Sequence, residues 1–543
     1  MLIGLCLSGL ALPGWAAEWF VSPVGNDSTG TGSLERPYRT LAHLLDPARG
    51  LVRSGDVVTL RGPVGANVHA ALEVRLRVPL TLRSYPGEWA VIECPIDVPD
   101  TVCVQIDPEA SGSRLSGLEI RGGNLYGLFL QTHWDSRNNR EGRGASGVVV
   151  EDCRIHGTGR DAVKITPKSD DVTIRRCEIF DTGRIYPPGT PDDDKNAEGI
   201  DNVNGSRMVV EDSWIHDTAT NGLYFKGGAA DVLVQRNRIE RTGGGGIMVG
   251  FDTSPEYFDT AVNPRWFEAV RGIVRNNVIR QTAHAGIGLY AAQAPVVVHN
   301  TLVDTAQRNH AALYFGVTLQ DFDPLAGRPA TVDAVIRNNL VIQRGAPCIG
   351  VRWANEIDAR GVHGLVGAPG TDANAFHDRS GPCRFFDTRP GSPLTEGGPL
   401  TLWQTHAQAD ARSLEVPLSV RADGHLPPGS PAIGRAVVVT QATDDIDRQP
   451  RGAAPDIGAD QATPALADHE RVMNWAESVY RAEFPWPYMA GTYQGYAYRW
   501  YPASGNYLAM RNGRMVVHNG RHWNFLDVGA VTDYLPTAAA AGY

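Results

Sequence analysis

Apolar and polar residues alternate along most of this chain, and beyond about residue 115 the alternation falls into a repeat. Val150-Glu-Asp-Cys153-Arg-Ile155 returns as Ile174-Arg-Arg-Cys177-Glu-Ile179, Val210-Glu-Asp-Ser213-Trp-Ile215 and Val234-Gln-Arg-Asn237-Arg-Ile239. Val274-Arg-Asn-Asn277-Val-Ile279, Val297-Val-His-Asn300-Thr-Leu302 and Ile336-Arg-Asn-Asn339-Leu-Val341 continue it. The fourth positions, 153, 177, 213, 237, 277, 300 and 339, are 23 or 24 residues apart, or 36 to 40 where one repeat carries an insertion. A period in the low twenties with alternating apolar residues marks a solenoid with one coil per repeat. β-branched residues dominate, Gly and Asn sit at the bends and no 3.6-residue period intervenes, so the coils are predicted to be strands. Asn237, Asn277, Asn300 and Asn339 in one column predict a stacked ladder at a bend.

A solenoid accommodates extra residues only as loops that leave the coil. The insertions fall at about 184–196, 251–270 and 317–332. Loops of this size on a regular scaffold are disproportionately functional. The second holds Asp252, Tyr257, Phe258, Asp259, Arg265 and Trp266, a mixture suited to sugar contacts and equally to a loop packed by its own aromatics.

The ends differ from the repeat. Glu18-Trp-Phe-Val21 followed by a Gly/Ser/Asp stretch, Pro37-Tyr38-Arg39-Thr40 leading into a short helix at about 40–48, and Ser54-Gly-Asp-Val-Val-Thr-Leu60 resemble the N-terminal cap of secreted right-handed parallel β-helix proteins. Ser430-Pro-Ala-Ile-Gly434 and Asp445-Ile-Asp-Arg-Gln-Pro-Arg-Gly452 resemble the closing segment of extracellular β-helix enzymes. Asp444, Asp445 and Asp447 there suit either calcium or a solvated acidic turn. From 463 the pattern changes to an amphipathic helix, Asp468 to Phe484, with Val472, Trp475, Ala476, Val479 and Tyr480 on one face. Hairpin signals follow at Ser504-Gly505, Asn512-Gly513 and Asn519-Gly520. The expected fold class is therefore all-β, a single right-handed parallel β-helix with a small C-terminal α+β module. Its divisions are a signal segment at 1–16, a cap and first coils at 17–110, the helix core at 111–350, terminal coils and a closing segment at 351–462, and the module at 463–543.

Residues 1–16 are apolar and end in small residues, as a secretory signal does, although no basic residue precedes them. Pro13 and Gly14 interrupt a run too short for a membrane span. A secreted or periplasmic monomer is expected. Cys94 with Cys103, and Cys348 with Cys383, could form disulfides there, or remain buried thiols. A net charge of -10 argues against nucleic acid. An acidic polysaccharide would need a local positive cluster or a bound cation.

Composition also singles out one stretch. The 50 basic residues include only four lysines, Lys164, Lys168, Lys195 and Lys226, all between 161 and 226. Lysine can lose its proton, whereas arginine effectively cannot. Aligned by the repeat, Asp161-Ala-Val-Lys164 lies over Glu198-Gly-Ile-Asp201, then Asn221-Gly-Leu-Tyr224-Phe-Lys226, then Gly245-Gly-Ile-Met248. With Val163, Ile200, Leu223 and Phe225 turned inward, Lys164, Asp201, Tyr224 and Lys226 are predicted to face solvent on one flank. Asp192, Asp193 and Asp194 arrive just before the Glu198 strand, on that flank.

This arrangement resembles the parallel β-helix polysaccharide lyases, and most closely the family 9 pectate lyases. Their acidic strand start with a preceding Asp pair is similar to Asp193-Asp194 followed by Glu198-Gly199-Ile200. Their Gly-aromatic strand ending in Lys is similar to Gly222-Leu223-Tyr224-Phe225-Lys226. Glu198 stands where an Asp would be expected, and the intervening spacing is shorter. The resemblance implies Ca²⁺ held by Asp161, Asp193, Asp194, Glu198 and Asp201, with Lys226 as the base of a β-elimination. Lys164 or Arg160 would pair a further uronate carboxylate, and Tyr224, Tyr257, Arg265 and Trp266 would contact sugar. The Arg-x-Lys element of polygalacturonase-type hydrolases and the Asp-Pro-His-Asp segment of C5-epimerases are absent. The rival expectation is a non-catalytic surface or polysaccharide-binding β-helix.

Overall fold

The computed structural model describes residues 16–543 apart from 64, 134–141, 319–328, 356–360 and 520–525. Parallel strands stack into three long sheets of 12, 12 and 11 strands. Consecutive strands go to different sheets, and each returns to its own sheet one coil later, ~4.8 Å further along. The result is a parallel β-helix with the small C-terminal module attached. The period-two pattern explains it: Val163, Ile200, Leu223, Ile247, Ile287, Leu313, Ile349 and Phe385 pair in register as one inward file. All are fully buried, each contributing about 1.5–3 kcal/mol by leaving water.

The asparagine column forms the predicted ladder. Asn237 donates to Asn277 at 3.0 Å, Asn277 to Asn300 at 2.9 Å and Asn300 to Asn339 at 3.0 Å, and a further rung reaches Asn374 at 3.1 Å. Before these rungs the backbone turns left-handed, with φ of 54° at Arg236, 56° at Asn276, 55° at His299 and 59° at Asn338. Such a conformation costs a non-glycine residue roughly 1–2 kcal/mol. The buried amides, each bridging two coils, offset that cost at every bend.

Coils continue to Leu414–Glu415, past the point where the sequence repeat fades. Helix Leu400–Ala407 covers that end with the buried Trp403, and helix Leu41–Leu45 covers the other with Leu41 and Leu44. Both disulfides form, Cys94–Cys103 and Cys348–Cys383, while Cys153 and Cys177 are buried thiols. The segment expected as a signal lies outside the described residues apart from Ala16, as does most of the 317–332 insertion. No described helix is long and apolar enough to cross a membrane.

Residues 437–459 run along the solenoid as a hairpin strap. Val437 exchanges hydrogen bonds with Asn338, Asp444 pairs with Arg236 and Arg275, and Arg448 pairs with Asp212. On the return, Asp456 meets His299, Ala459 meets Thr301 and Gly458 meets Asn338. The turn of the strap is solvated at Asp447 and Arg448, which are exposed, but not at Asp445. Asp445 is fully buried, accepting the N–H groups of Asp447, Gln449 and Gln461. Asp447 pairs with His425 at 2.6 Å.

The module sets helices Asp468–Val479 and Val531–Ala540 beside a five-stranded antiparallel sheet. Val472, Trp475 and Ala476 are buried as expected, joined by Met473. Val479 and Tyr480 are exposed, and the helix stops at Val479 instead of running on to Phe484 as expected.

Candidate functional site

The 11-stranded sheet carries the predicted alignment on its outer face. Lys164 pairs in register with Asp201 and Asp201 with Tyr224, which places Asp161 beside Glu198 and Glu198 beside Asn221. Carboxylate oxygens of Asp161, Glu198 and Asp201 lie within 4.8 Å of one another. The Lys164 ammonium is bound to Asp201 and lies 3.8 Å from Asp161.

This flank is not open to solvent as expected. Asp161 and Asp201 are fully buried, Glu198 is 4 % exposed and Tyr224 3 %. Insertion lengths reveal that loops leave the coil but not that they fold back over the sheet, which is what both do here. The first loop ends at Asn196, whose amide, oriented to satisfy its neighbours, donates to Asp161 at 2.9 Å and to Glu198 at 3.0 Å. The second lays Phe251 on Tyr224, with centroids 5.7 Å apart, and reaches back to Lys168 through Asp259 at 2.5 Å.

Three like charges this close repel by about 3–4 kcal/mol per pair at an effective dielectric of ~20. Burial, reinforced by the charges of Asp201 and Glu198, holds the Asp161 carboxyl well above the usual range. Burial and Asp201 raise Glu198 as well. Burial works against the ionised form of Asp201 too, but the charges of Lys164 and Lys226 outweigh it and its pKa falls. Lys164, although buried, is raised by Asp201 and Asp161 and stays charged. Nearby Tyr126 is pushed up to about 12, chiefly by burial.

The four lysines divide sharply. Lys164 pairs with Asp201, Lys168 with Asp259 and Lys195 with Asp192. Of the four, only Lys226 has no carboxylate in ion-pair range among the described residues, although its charge is felt by Asp201 and Glu198. It donates to the Asp252 carbonyl at 2.9 Å and lies 4.3 Å from the centroid of the Tyr224 ring and 5.6 Å from that of Phe251. Buried Glu268 fixes this corner from behind by accepting from Gly227 N at 2.9 Å, Thr253 N at 3.1 Å and Thr253 Oγ1 at 2.6 Å. Burial pushes its carboxyl up to about 8.

Other expected residues stand apart from the carboxylate cluster. Asp192 is held by Lys195 and by Arg308 at 3.0 Å, Asp194 is exposed, and the Asp193 side chain lies outside the described residues. Tyr224, expected at the surface, is 3 % exposed and lies against the Lys226 ammonium. Arg160 is half-buried, its Nε without a partner. In the second loop Tyr257 and Arg265 are exposed, while Trp266 packs on Phe258 with centroids 5.2 Å apart. The loop's aromatics thus serve both alternatives: Phe258 and Phe267 are its core, and Tyr257 faces outward.

Asp161, Glu198 and Asp201 could hold a divalent cation. All offer hard oxygen donors, and Asp201 Oδ1 is buried with no hydrogen-bond partner. The residues present fit such an ion, with Lys164 as an internal competitor for the same carboxylates.

Sequence reasoning missed what lies further along the same face. The outward column continues from Tyr224 through Met248, Gly288, Tyr314 and Gly350 to Phe386. A Cβ on Gly316 would strike the Tyr290 ring, and one on Gly350 the Phe386 ring. Glycine therefore lets each ring lie flat across its neighbouring strand. The outward glycines paired with Tyr290 and Phe386 one coil away were a readable signal. At the end of this floor opens a cleft of about 1270 Å³ whose lining includes Arg308, Arg344, Arg352 and Arg384.

The sequence matches the family described as a right handed beta helix region over residues 100–260 and 143–318. No curated protein matches it. Among solved structures it is similar to pectate lyase Pel9A, with a TM-score of 0.49 and 14 % identity over 82 % of this chain and 96 % of that one. It is also similar to a rhamnogalacturonan lyase, with a TM-score of 0.40 and 14 % identity over 62 % of this chain and 84 % of that one. PfbA, a surface adhesin of Streptococcus pneumoniae, gives a TM-score of 0.40 and 9 % identity over 62 % of this chain and 80 % of that one. These are likenesses of fold.

Proposed function

We propose that this chain is an extracellular polysaccharide lyase that cleaves a uronate-containing, pectate-like chain by β-elimination, with Lys226 as base and Ca²⁺ at Asp161, Glu198 and Asp201. The observation that carries the reading is Lys226 itself. It is the one lysine of four with no carboxylate in ion-pair range among the described residues, and it stands one coil beyond a buried carboxylate triad on the same face. A bound Ca²⁺ would supply positive charge against the substrate carboxylate, which acidifies the adjacent C–H.

The chain's own residues would do the rest. Tyr224 and Phe251 form a flat support under the Lys226 amine, and the Asp252 carbonyl fixes its direction. Lys226 in its neutral form removes the C5 proton. The freed electron pair forms the C4–C5 double bond, the C4–O glycosidic bond breaks, and the departing oxygen takes a proton from water. Exposed Tyr257 and Arg265 border the approach and would meet the sugar chain.

The test is the ultraviolet absorbance of the unsaturated product with pectate, alginate and glycosaminoglycans, with Ca²⁺ and with EDTA. Lys226→Arg is expected to keep binding and lose turnover by about a hundredfold or more. Wild-type activity in that variant removes Lys226 as base. One observation favours a non-catalytic binding role instead: Lys164 already gives the triad an internal counter-ion. Binding with no product on any uronate would establish that second reading.

A further inference from the structure

The C-terminal module has its core on one face of its sheet only. Tyr501, Leu508 and Met515 pack there against Val472, Trp475 and Val531 of the two helices. The opposite face of an antiparallel sheet packed in this way is ordinarily polar. Here it is aromatic. Strand alternation along Met489–Tyr493, Tyr496–Tyr501 and Asn506–Arg511 turns Tyr493, Tyr498, Trp500 and Tyr507 away from the core. Register gathers them, with Trp500 opposite Tyr507 on one side and Tyr498 opposite Gly491 on the other.

Tyr507 lies at the centre of the group. Its ring centroid is 5.8 Å from that of Tyr498 and 6.1 Å from that of Trp500, whose plane is 25° from its own. A Cβ on Gly491 would come within 2.5 Å of the Tyr498 hydroxyl and 2.7 Å of the ring carbon that bears it. Glycine on the edge strand therefore lets the Tyr498 ring lie across its neighbour. Tyr498, Trp500 and Tyr507 are half-buried, and Tyr493 on the edge strand is 63 % exposed. These rings close no core, and a ligand can reach them.

Their chemistry selects the ligand. Each joins an apolar ring face to a polar atom, a tyrosine hydroxyl or an indole N–H. A lipid surface or an apolar protein patch would take water from those atoms and return no hydrogen bond. A sugar offers C–H bonds to the ring face and hydroxyls at its rim. Charge narrows the choice further. Among the described residues the carboxylate on this face, Asp527, is paired with Arg514 at 2.5 Å. Arg511 is exposed, has no carboxylate in ion-pair range among the described residues, and rests over the Tyr496 ring at 4.9 Å. On a protein of net charge -10 this face thus carries an uncompensated positive charge, which complements an acidic polymer.

We infer that the outer face of the module's sheet is a glycan-binding platform, which holds an acidic polysaccharide over Trp500, Tyr507 and Tyr498 with a carboxylate at Arg511. The inference takes only the class of polymer from the preceding functional reading. Because the platform and the carboxylate triad belong to one chain, a polymer held by the first is present at raised local concentration for the second.

The experiment is titration of the full-length protein with polygalacturonate in EDTA, which suppresses turnover. Trp500→Ala combined with Tyr507→Ala is expected to weaken binding about tenfold or more. Gly491→Val keeps every ring and places a good strand former on an edge strand, but its side chain displaces Tyr498. It is expected to weaken binding about threefold or more. Arg511→Ala is expected to weaken binding of polygalacturonate about threefold and to leave unchanged the binding of the same polymer with its carboxylates reduced to alcohols. Ring and Gly491 variants that bind as wild type does, or an Arg511→Ala loss equal for both polymers, overturn the inference. Loss of self-association with polymer binding intact also overturns it, and assigns the face to a second copy of the chain. The lyase reading fails separately: absence of unsaturated product while the ring variants still lose binding removes the elimination and leaves the platform.

Discussion

Lys164 is the group whose removal interrogates the triad most directly. Its ammonium lies 3.8 Å from Asp161 and contacts Asp201 more closely, with all three side chains largely out of water. Lys164→Met keeps an unbranched side chain, one atom shorter, and removes the ammonium together with its hydrogen bond to Asp201. It leaves Asp201 ionised in the interior beside Glu198, and breaking a buried pair in this way costs about 3–5 kcal/mol. The assay is equilibrium urea denaturation in EDTA, read as a shift of midpoint at unchanged slope. Two further arms give it discrimination. Lys164→Met with Asp201→Asn removes both partners and should recover most of the loss, a non-additivity expected only of groups in contact. Added Ca²⁺ should stabilise Lys164→Met more than wild type, because the ion then enters a site with one fewer internal cation. A single variant as stable as wild type, or a double variant whose losses simply sum, refutes the electrostatic account of the triad.

Asn300→Ala should cost about 3–5 kcal/mol, since it orphans the Val274 carbonyl and the Asn277 N–H in the dry bend; a loss below about 1 kcal/mol in the same assay would show that the ladder contributes little. Glu268 provides a pH signature. Its folded pKa of about 8 lies above the ordinary 4.5, so its neutral form stabilises the fold fully below pH 4.5. That contribution is lost as pH rises toward 8, at about 1.4 kcal/mol per unit. Glu268→Gln should remove this part of the pH dependence of the denaturation midpoint; parallel curves for the two proteins would contradict the assignment.

The coil register was legible in the sequence because a solenoid repeats one local rule. Each strand buries every second residue, so the text of Asp161–Lys164, Glu198–Asp201 and Asn221–Lys226 aligned itself, and the structure pairs those residues in that order. The covering of the site was not legible. Whether an inserted loop projects outward or folds back depends on contacts such as Lys168 with Asp259 and Asn204 with the Tyr257 carbonyl, between residues 91 and 53 positions apart. The arginine cleft escaped notice for a different reason. Its residues come from separate coils, and arginine is this chain's default cation, so none stands out in the text as the lysines do.

The strap at 437–459 gives the solenoid a property that its repeats lack. Stacked repeats normally interact only with their neighbours, so they can melt one at a time from either end. Here a single hairpin grips coils at Asp212, Arg236, Asn276, His299 and Asn338. Those five coils, ~19 Å of the axis, cannot shift against one another without releasing it. They include the coils that carry Lys226, Tyr290 and Tyr314. The strap thereby turns this part of a compliant spring into a rigid bar, and the interval between Lys226 and Tyr314 becomes a fixed length.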